Sequence, residues 1–453
     1  MTERGRWGSR AGFVFAAAGS AVGLGNIWGF PVQVGRGGGA AFVLVYLGCV
    51  FLICFPILMA EIALGRHTGK APVPAFRALR PGTPWWLVGA LGVTAAVAIL
   101  SFYAVITGWT LAYVWFAGSG ALDGDSAAVG AFFTRFVANG PLNLALTFAV
   151  LAITAAIPLH GIRQGIERAT KAMMPALFAV LVVLAIRALT LPGSAAGVAY
   201  YLRPDPARAI SIATLNAALG QAFFSLSLGV GCFITYGSYL PKDAAAPGAA
   251  AWVAGLDTLV ALLAGFLVFP VGFSMAGFDP STSGPGLIFA VLPRLFGAMP
   301  GGHLFGAAFF VLLALAALTS TVSLLEVPAA HFIDHHGWSR RKAVLVVTGV
   351  TAALAVPSVL ANGADPTLSR LPGVGTDFLS LMVTVWNNFA LPLGGLCVAV
   401  FVGWVWGARN ALAELTAEGA VFPASGLWVV LIRYACPLAI LFVIVMTVRG
   451  MIG

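Results

Sequence analysis

The chain has 453 residues, of which 60% are hydrophobic and only 9% are charged. A soluble domain carries about 25% charged residues, so the composition excludes a soluble monomer, as it excludes a disordered chain or a disulfide scaffold. The net charge is +9, from 24 Lys and Arg against 15 Asp and Glu, but no basic stripe interleaves with aromatics and no nucleic-acid partner is expected.

About 20 apolar residues cross a bilayer. In chain order the apolar runs fall at 11–35, 40–64, 87–117, 141–158, 170–190, 212–240, 249–277, 302–333, 341–357, 376–407 and 425–449. They predict an all-α integral membrane protein of eleven transmembrane helices in one domain, with the lipid bilayer as its first partner. The first run is too long, and too polar in its middle, for a cleaved signal peptide. The five cysteines, Cys49, Cys54, Cys232, Cys397 and Cys436, lie inside apolar runs and read as small core residues. Sixteen of the 24 Lys and Arg fall on the N-terminal side of the membrane, Arg4 and Arg66 among them, and eight on the other, Arg208 among them. That bias predicts a cytoplasmic N-terminus, and an odd number of spans then puts the C-terminus outside.

Two runs are interrupted where a helix would be deepest in the membrane. The first contains Ala18-Gly19-Ser20-Ala21-Val22-Gly23-Leu24-Gly25-Asn26, and the sixth contains Gln221 to Gly231 with Ser225, Ser227, Gly229 and Gly231. Glycine in a helix interior costs about 1 kcal/mol, and Ser and Asn offer the backbone competing hydrogen bonds. A single such cluster reads equally as close helix packing. Two, five spans apart, point to inverted repeats with a transport site between them. The predicted repeats are 11–190 and 212–407, with 425–449 as an addition. Unwound backbone bares carbonyls that suit a cation and N–H groups that suit an anion, so one break can hold both poles of a zwitterion.

The run Gly19 to Trp28 followed by Phe30-Pro31 resembles the first span of the neurotransmitter:sodium symporter family, in its bacterial amino-acid branch. The likeness continues through Pro56 to Glu61, Gly65-Arg66, Gly108 to Leu111, Gly165-Ile166-Glu167, Gln221 to Gly229, Ala317 to Ser320 and Leu391-Pro392-Leu393-Gly394-Gly395. It implies the LeuT-like inverted-repeat fold, sodium-coupled import of an amino acid by alternating access, no enzymatic activity, and a bacterial inner membrane.

The resemblance also implies ligands. One sodium would meet Ala21, Asn26 through its amide oxygen, Ser225 and Asp257, with the substrate carboxylate. A second would meet Gly19, Val22, Ala316, Thr319 and Ser320. The substrate carboxylate would lie on the Leu24 and Gly25 N–H groups beside Gly23 and on the Tyr103 hydroxyl. The amino group would lie near Ala21, Phe224, Ser225 and Ser227, and the side chain among Ile99, Tyr103, Phe224, Val230, Ser320 and Leu324. Taken alone, Tyr103 reads as a core tyrosine, and Thr319 to Thr321 as helix–helix glue. Asp257 would supply the negative charge that makes chloride unnecessary; its other reading is an interfacial aspartate. Glu61 and Glu326 read as partners of unwound backbone or as proton carriers. His331, His335 and His336 read as an exposed inner cluster or as metal ligands.

The sequence departs from the family at the outer gate. Gly29 stands where most relatives carry Arg or Lys, and Val383 where its aspartate partner would be. Losing both avoids a stranded charge. Arg36 and Asp377 are candidates for a replacement pair further out, and Gly29 is expected to leave space above the site. No charged residue lines the side-chain pocket, so a neutral, hydrophobic L-amino acid, branched or aromatic, is the expected substrate. The rival readings are a proton-coupled or sodium-independent carrier on the same fold, a channel or receptor, and an intramembrane enzyme. Against the last, no zinc motif and no clustered Ser, His and Asp set appears.

Overall fold

The computed structural model describes residues 5–204, 211–242, 244–275, 278–280, 287–297 and 301–452, so Arg4 and Arg208, used above for orientation, lie outside the described residues. Among the described residues there are helices and no strands.

Helix α1 (Arg10–Ala21) starts where Ser9, in an extended conformation, accepts the Gly12 N–H on its hydroxyl, a side-chain N-cap. It stops where Val22 turns extended (φ −68°, ψ 106°). Helix α2 (Gly25–Arg36) resumes at an angle of 50° to it, and the bent pair is one broken span. Then come α3 (Ala40–Thr68), the short α4 (Pro72–Leu79), α5 (Trp86–Gly118), a short α6 (Ser126–Val137), α7 (Gly140–Leu159), α8 (Ile162–Leu189) and the short α9 (Ser194–Leu202). The sixth apolar run forms α10 (Ile212–Ser225) and α11 (Cys232–Gly237), with a non-helical turn between them. Beyond lie α12 (Ala246–Phe273), α13 (Leu292–Gly297), α14 (Gly302–His336), α15 (Arg340–Leu360), α16 (Phe378–Val405), α17 (Ala408–Leu415) and α18 (Ser425–Arg449).

Among the described residues, nine of these helices are long and apolar enough to cross a membrane, and the bent α1–α2 pair makes ten. The remaining predicted span is the α10–α11 pair, each half too short to cross alone. The fifth span begins earlier than the apolar run suggested: Arg163, Glu167 and Arg168, expected in a loop, form its first turns.

The two longest helices, α5 and α14, lie side by side, and α1 packs on α8, α12 and α14. Close approaches fix the sequence at glycines. A Cβ on Gly65 of α3 would lie 1.9 Å from the Ile234 carbonyl of α11. On the side that carries the N-terminus, Glu167 accepts from Gly8 N–H (2.6 Å), Ser9 Oγ (2.9 Å) and Lys171 Nζ (2.6 Å). Nearby, Arg66 is fully buried and donates to the carbonyls of Glu414 (2.8 Å) and Lys242. The Glu414 carboxylate in turn meets Lys242 Nζ at 3.0 Å and His67 Nδ1 at 2.9 Å.

Candidate functional site

The two breaks face each other and are bonded together. In the α10–α11 turn, Ser227 has φ 49° and Gly229 and Gly231 both φ 81°. A β-carbon on Gly229 would sit 2.2 Å from the Leu391 carbonyl, and one on Gly394 would sit 2.3 Å from the Gly229 carbonyl, so the Leu-Pro-Leu-Gly-Gly run of α16 is the surface against which the turn is pressed. The buried Glu61 of α3 accepts the Gly229 N–H on Oε1 at 2.8 Å. This is the backbone-holding role read for Glu61. Glu326 is held instead by side chains: Tyr239 donates at 2.7 Å and Arg340 at 2.9 Å. Ser227 donates its hydroxyl to the Ser20 carbonyl at 2.9 Å, joining the two broken spans directly.

Between the breaks is a cavity of about 30 Å³. Ten of the residues expected at the substrate line it: Ala21, Gly23, Gly25, Ile99, Tyr103, Phe224, Ser227, Val230, Ser320 and Leu324. Leu24 and Ser225 stand just behind. The Leu24 N–H donates to the Tyr103 hydroxyl at 2.9 Å, and Ser225 belongs to a polar cluster with Asn26 and Asp257. In that cluster Ser225 Oγ donates to the Asp257 carboxylate at 3.0 Å, and Asn26 Nδ2 donates to Asp257 Oδ1 at 2.7 Å and to Ser225 Oγ at 2.9 Å. Asn26 Oδ1 accepts the Gly23 N–H at 2.9 Å. The amide thus turns its nitrogen, not the expected oxygen, toward Asp257. To serve a cation there it must turn over, since only its oxygen is an acceptor.

The five residues of the second expected sodium site also converge. Thr319 Oγ1 lies 3.4 Å from the Val22 carbonyl and 2.9 Å from that of Ala316. Ser320 Oγ lies 3.5 Å from the Gly19 carbonyl and 3.4 Å from that of Val22. Hydroxyl hydrogen bonds favour about 2.7–2.8 Å. The contacts to Gly19 and Val22 are therefore long, as are those of Thr319 to Leu315 and of Ser320 to Ala316 within the helix, both at 3.3 Å.

Over residues 4–126 and 126–452 the sequence matches the sodium:neurotransmitter symporter family. The chain belongs to that family. It is 38% identical to an uncharacterized sodium-dependent transporter, YhdH, of Bacillus subtilis, over 97% of this chain and 96% of the relative. It is 26% identical to the human sodium- and chloride-dependent GABA transporter 2, over 90% of this chain and 74% of the relative. Its structure is similar to that of MhsT in complex with L-phenylalanine, with a TM-score of 0.89, 43% identity, and coverage of 98% and 100% of the two chains. This symporter is therefore a sodium-dependent, multi-pass membrane transporter of LeuT-like fold, and not an enzyme.

Two points of the sequence reading change. Gly29 does not open space above the site: Gln221 fills it, with its Oε1 2.9 Å from where a Cβ on Gly29 would be and its Nε2 donating to the Gly25 carbonyl at 2.7 Å. Asp377 does not reach out to Arg36; it caps the first turn of α16 by accepting from Ser380 N–H (2.8 Å) and Oγ (2.6 Å). Of the histidines of α14, His331 stacks on His335 and both meet His336 edge-on. Two lining residues were missed, Asn387 and Leu391 of α16. The signal was present in Asn387-Asn388, an amide pair inside an apolar span next to the Leu-Pro-Leu-Gly-Gly run.

Proposed function

We propose that this symporter imports a neutral, hydrophobic L-amino acid, branched or aromatic, together with two sodium ions and without chloride, by alternating access. The inverted repeats would be 11–190 and 212–407, in a bacterial inner membrane with the N-terminus cytoplasmic. The observation that carries the reading is the cavity itself. Apolar walls and four hydroxyl or amide side chains line it, with no charged side chain among them. A charged substrate side chain would be buried there without a partner, which costs several kcal/mol. A zwitterion's own poles are served by the bared N–H groups and carbonyls of the two breaks. The phenylalanine in the MhsT complex is a substrate-sized precedent of the same chemistry.

In this mechanism one sodium sits between Ser225, Asp257 and a turned-over Asn26, beside the substrate carboxylate on Leu24 and Gly25. Direct contact makes the two binding energies reciprocal. The second sodium joins α1 to α14 through Val22, Ala316, Thr319 and Ser320, so its occupancy governs whether α1 is held on the body of the protein. Asp257 supplies a fixed negative charge, which removes the need for a chloride ion.

The test is uptake of radiolabelled phenylalanine and leucine into proteoliposomes under an imposed sodium gradient. Accumulation should vanish when choline replaces sodium and persist when gluconate replaces chloride. Accumulation unchanged in choline would overturn sodium coupling, and strict chloride dependence would overturn the role of Asp257. The full burial of the Glu61 carboxyl favours one second reading, a proton-coupled carrier on the same fold, which predicts uptake driven by a pH gradient alone.

A further inference from the structure

Asn387 stands between two cavities. It lines the central cavity of about 30 Å³ and also an outer one of about 420 Å³. Phe224 is the other residue common to the two linings. Elsewhere the central cavity is bounded by Ile99, Tyr103 and Leu324, all buried along the packed α5 and α14. Enlarging it there would push apart two close-packed helices, and protein interiors resist this. A side chain too large for the cavity therefore gains room at the Phe224–Asn387 wall, behind which space already exists.

Asn387 is also left unsatisfied. Its Oδ1 is buried without a hydrogen-bond partner, which is uncommon for a buried amide. It lies in Val383–Ala390, a π-helical stretch of α16. Gln221 of the outer lining is committed to the Gly25 carbonyl, and Asn216, whose Oδ1 is also without a partner, lines only the outer cavity; among the described residues, Asn387 is the one amide side chain in the central lining. The outer cavity has polar linings, Gln33, Asn216 and Asn388 among them, but no charged side chain, so nothing there competes as an ionic partner.

Building on the amino-acid reading above, we propose that Asn387 is a specificity-determining substrate contact. Its carboxamide oxygen accepts a hydrogen bond from a donor on the substrate's ring. The preferred substrates are then aromatic amino acids with an indole N–H or a phenol O–H, ahead of the hydrocarbon ring of the same shape. Leaving a buried acceptor unmatched is costlier than matching it is favourable, so discrimination comes mainly from the penalty on the ring that lacks a donor.

The experiment compares four compounds: tryptophan, 1-methyltryptophan, tyrosine and phenylalanine. KM for sodium-driven uptake is measured in proteoliposomes, and equilibrium binding is measured on the solubilised full chain. The protein should prefer tryptophan to 1-methyltryptophan, and tyrosine to phenylalanine, by about five- to tenfold. Asn387→Leu should bring both ratios close to one, and Asn387→Asp, which keeps an acceptor, should preserve a preference in both pairs. Ratios unchanged in Asn387→Leu, or parallel weakening of all four compounds, overturn the proposal. Binding reads the same ratios whether or not uptake is sodium-driven, so a failure of sodium coupling is distinguishable from a failure of this contact.

Discussion

Asp257 is fully buried, yet among the described residues it is met by neutral donors alone, the Asn26 amide and the Ser225 hydroxyl. An ionised carboxylate without a counter-charge in such a place is unstable by several kcal/mol, and a sodium ion is the counter-charge that site can accept. Asp257→Asn should therefore lower sodium affinity by about tenfold or more and make uptake respond to chloride, which would then bring the missing negative charge. Sodium titrations of uptake in chloride and in gluconate check this; equal curves for the two anions in the variant would refute it. Position 29 shows the limit of reading single residues. The absence of a charge there was legible from the sequence, but not what occupies its place, because Gln221 arrives from another span nearly two hundred positions away.

At the scale of elements, the two interrupted spans were the most legible feature, since Gly, Ser and Asn clusters in an apolar run have few other uses. The sequence offered Glu61 as a partner of unwound backbone, but not the rest of what holds the turn after α10: Gly394 from α16 and Ser227 reaching Ser20. Those partners come from distant helices, and no local pattern announces them. The Asn387-Asn388 amide pair was visible in the sequence, but the face of α16 it takes was not, because an ideal helical repeat misplaces side chains across the π-helical stretch Val383–Ala390. The strictest test of the turn is Gly229→Ala. Its backbone is left-handed (φ 81°) and the added Cβ would meet the Leu391 carbonyl at 2.2 Å. Strain of about 1–3 kcal/mol, with a steric clash added, should lower the melting temperature and sharply reduce uptake. Gly220→Ala, where nothing lies within 4 Å of the added Cβ, is the control that should do neither.

Across the whole molecule, distant segments are tied at Glu414, which joins α17 to Lys242 after α11 and to Arg66 and His67 of α3. Burial would raise its pKa, but hydrogen bonds from Lys242 and His67 and the charge of Arg66 outweigh it and hold the carboxyl below its ordinary value. With the folded pKa depressed, the linkage favours the folded state above the unfolded pKa of about 4.3. That contribution is lost as pH falls through the lower, folded value. Melting temperature followed from pH 6 downward should fall, and Glu414→Gln should flatten that acid limb; an identical limb in the variant would remove Glu414 from the account. Most of the crossings were legible from apolar length, whereas this network was not, because its members are scattered between positions 66 and 414 and nothing local pairs Arg66 with Glu414.

The clasp at Glu167, where Gly8, Ser9 and Lys171 meet one carboxylate, has no charged equivalent at Gly29 and Val383 on the opposite side of the breaks. Electrolyte weakens exposed charge pairs and leaves neutral packing almost untouched. Concentrated salt should therefore weaken that clasp through Lys171, whose side chain is 41% exposed, and so loosen the end that carries the N-terminal segment.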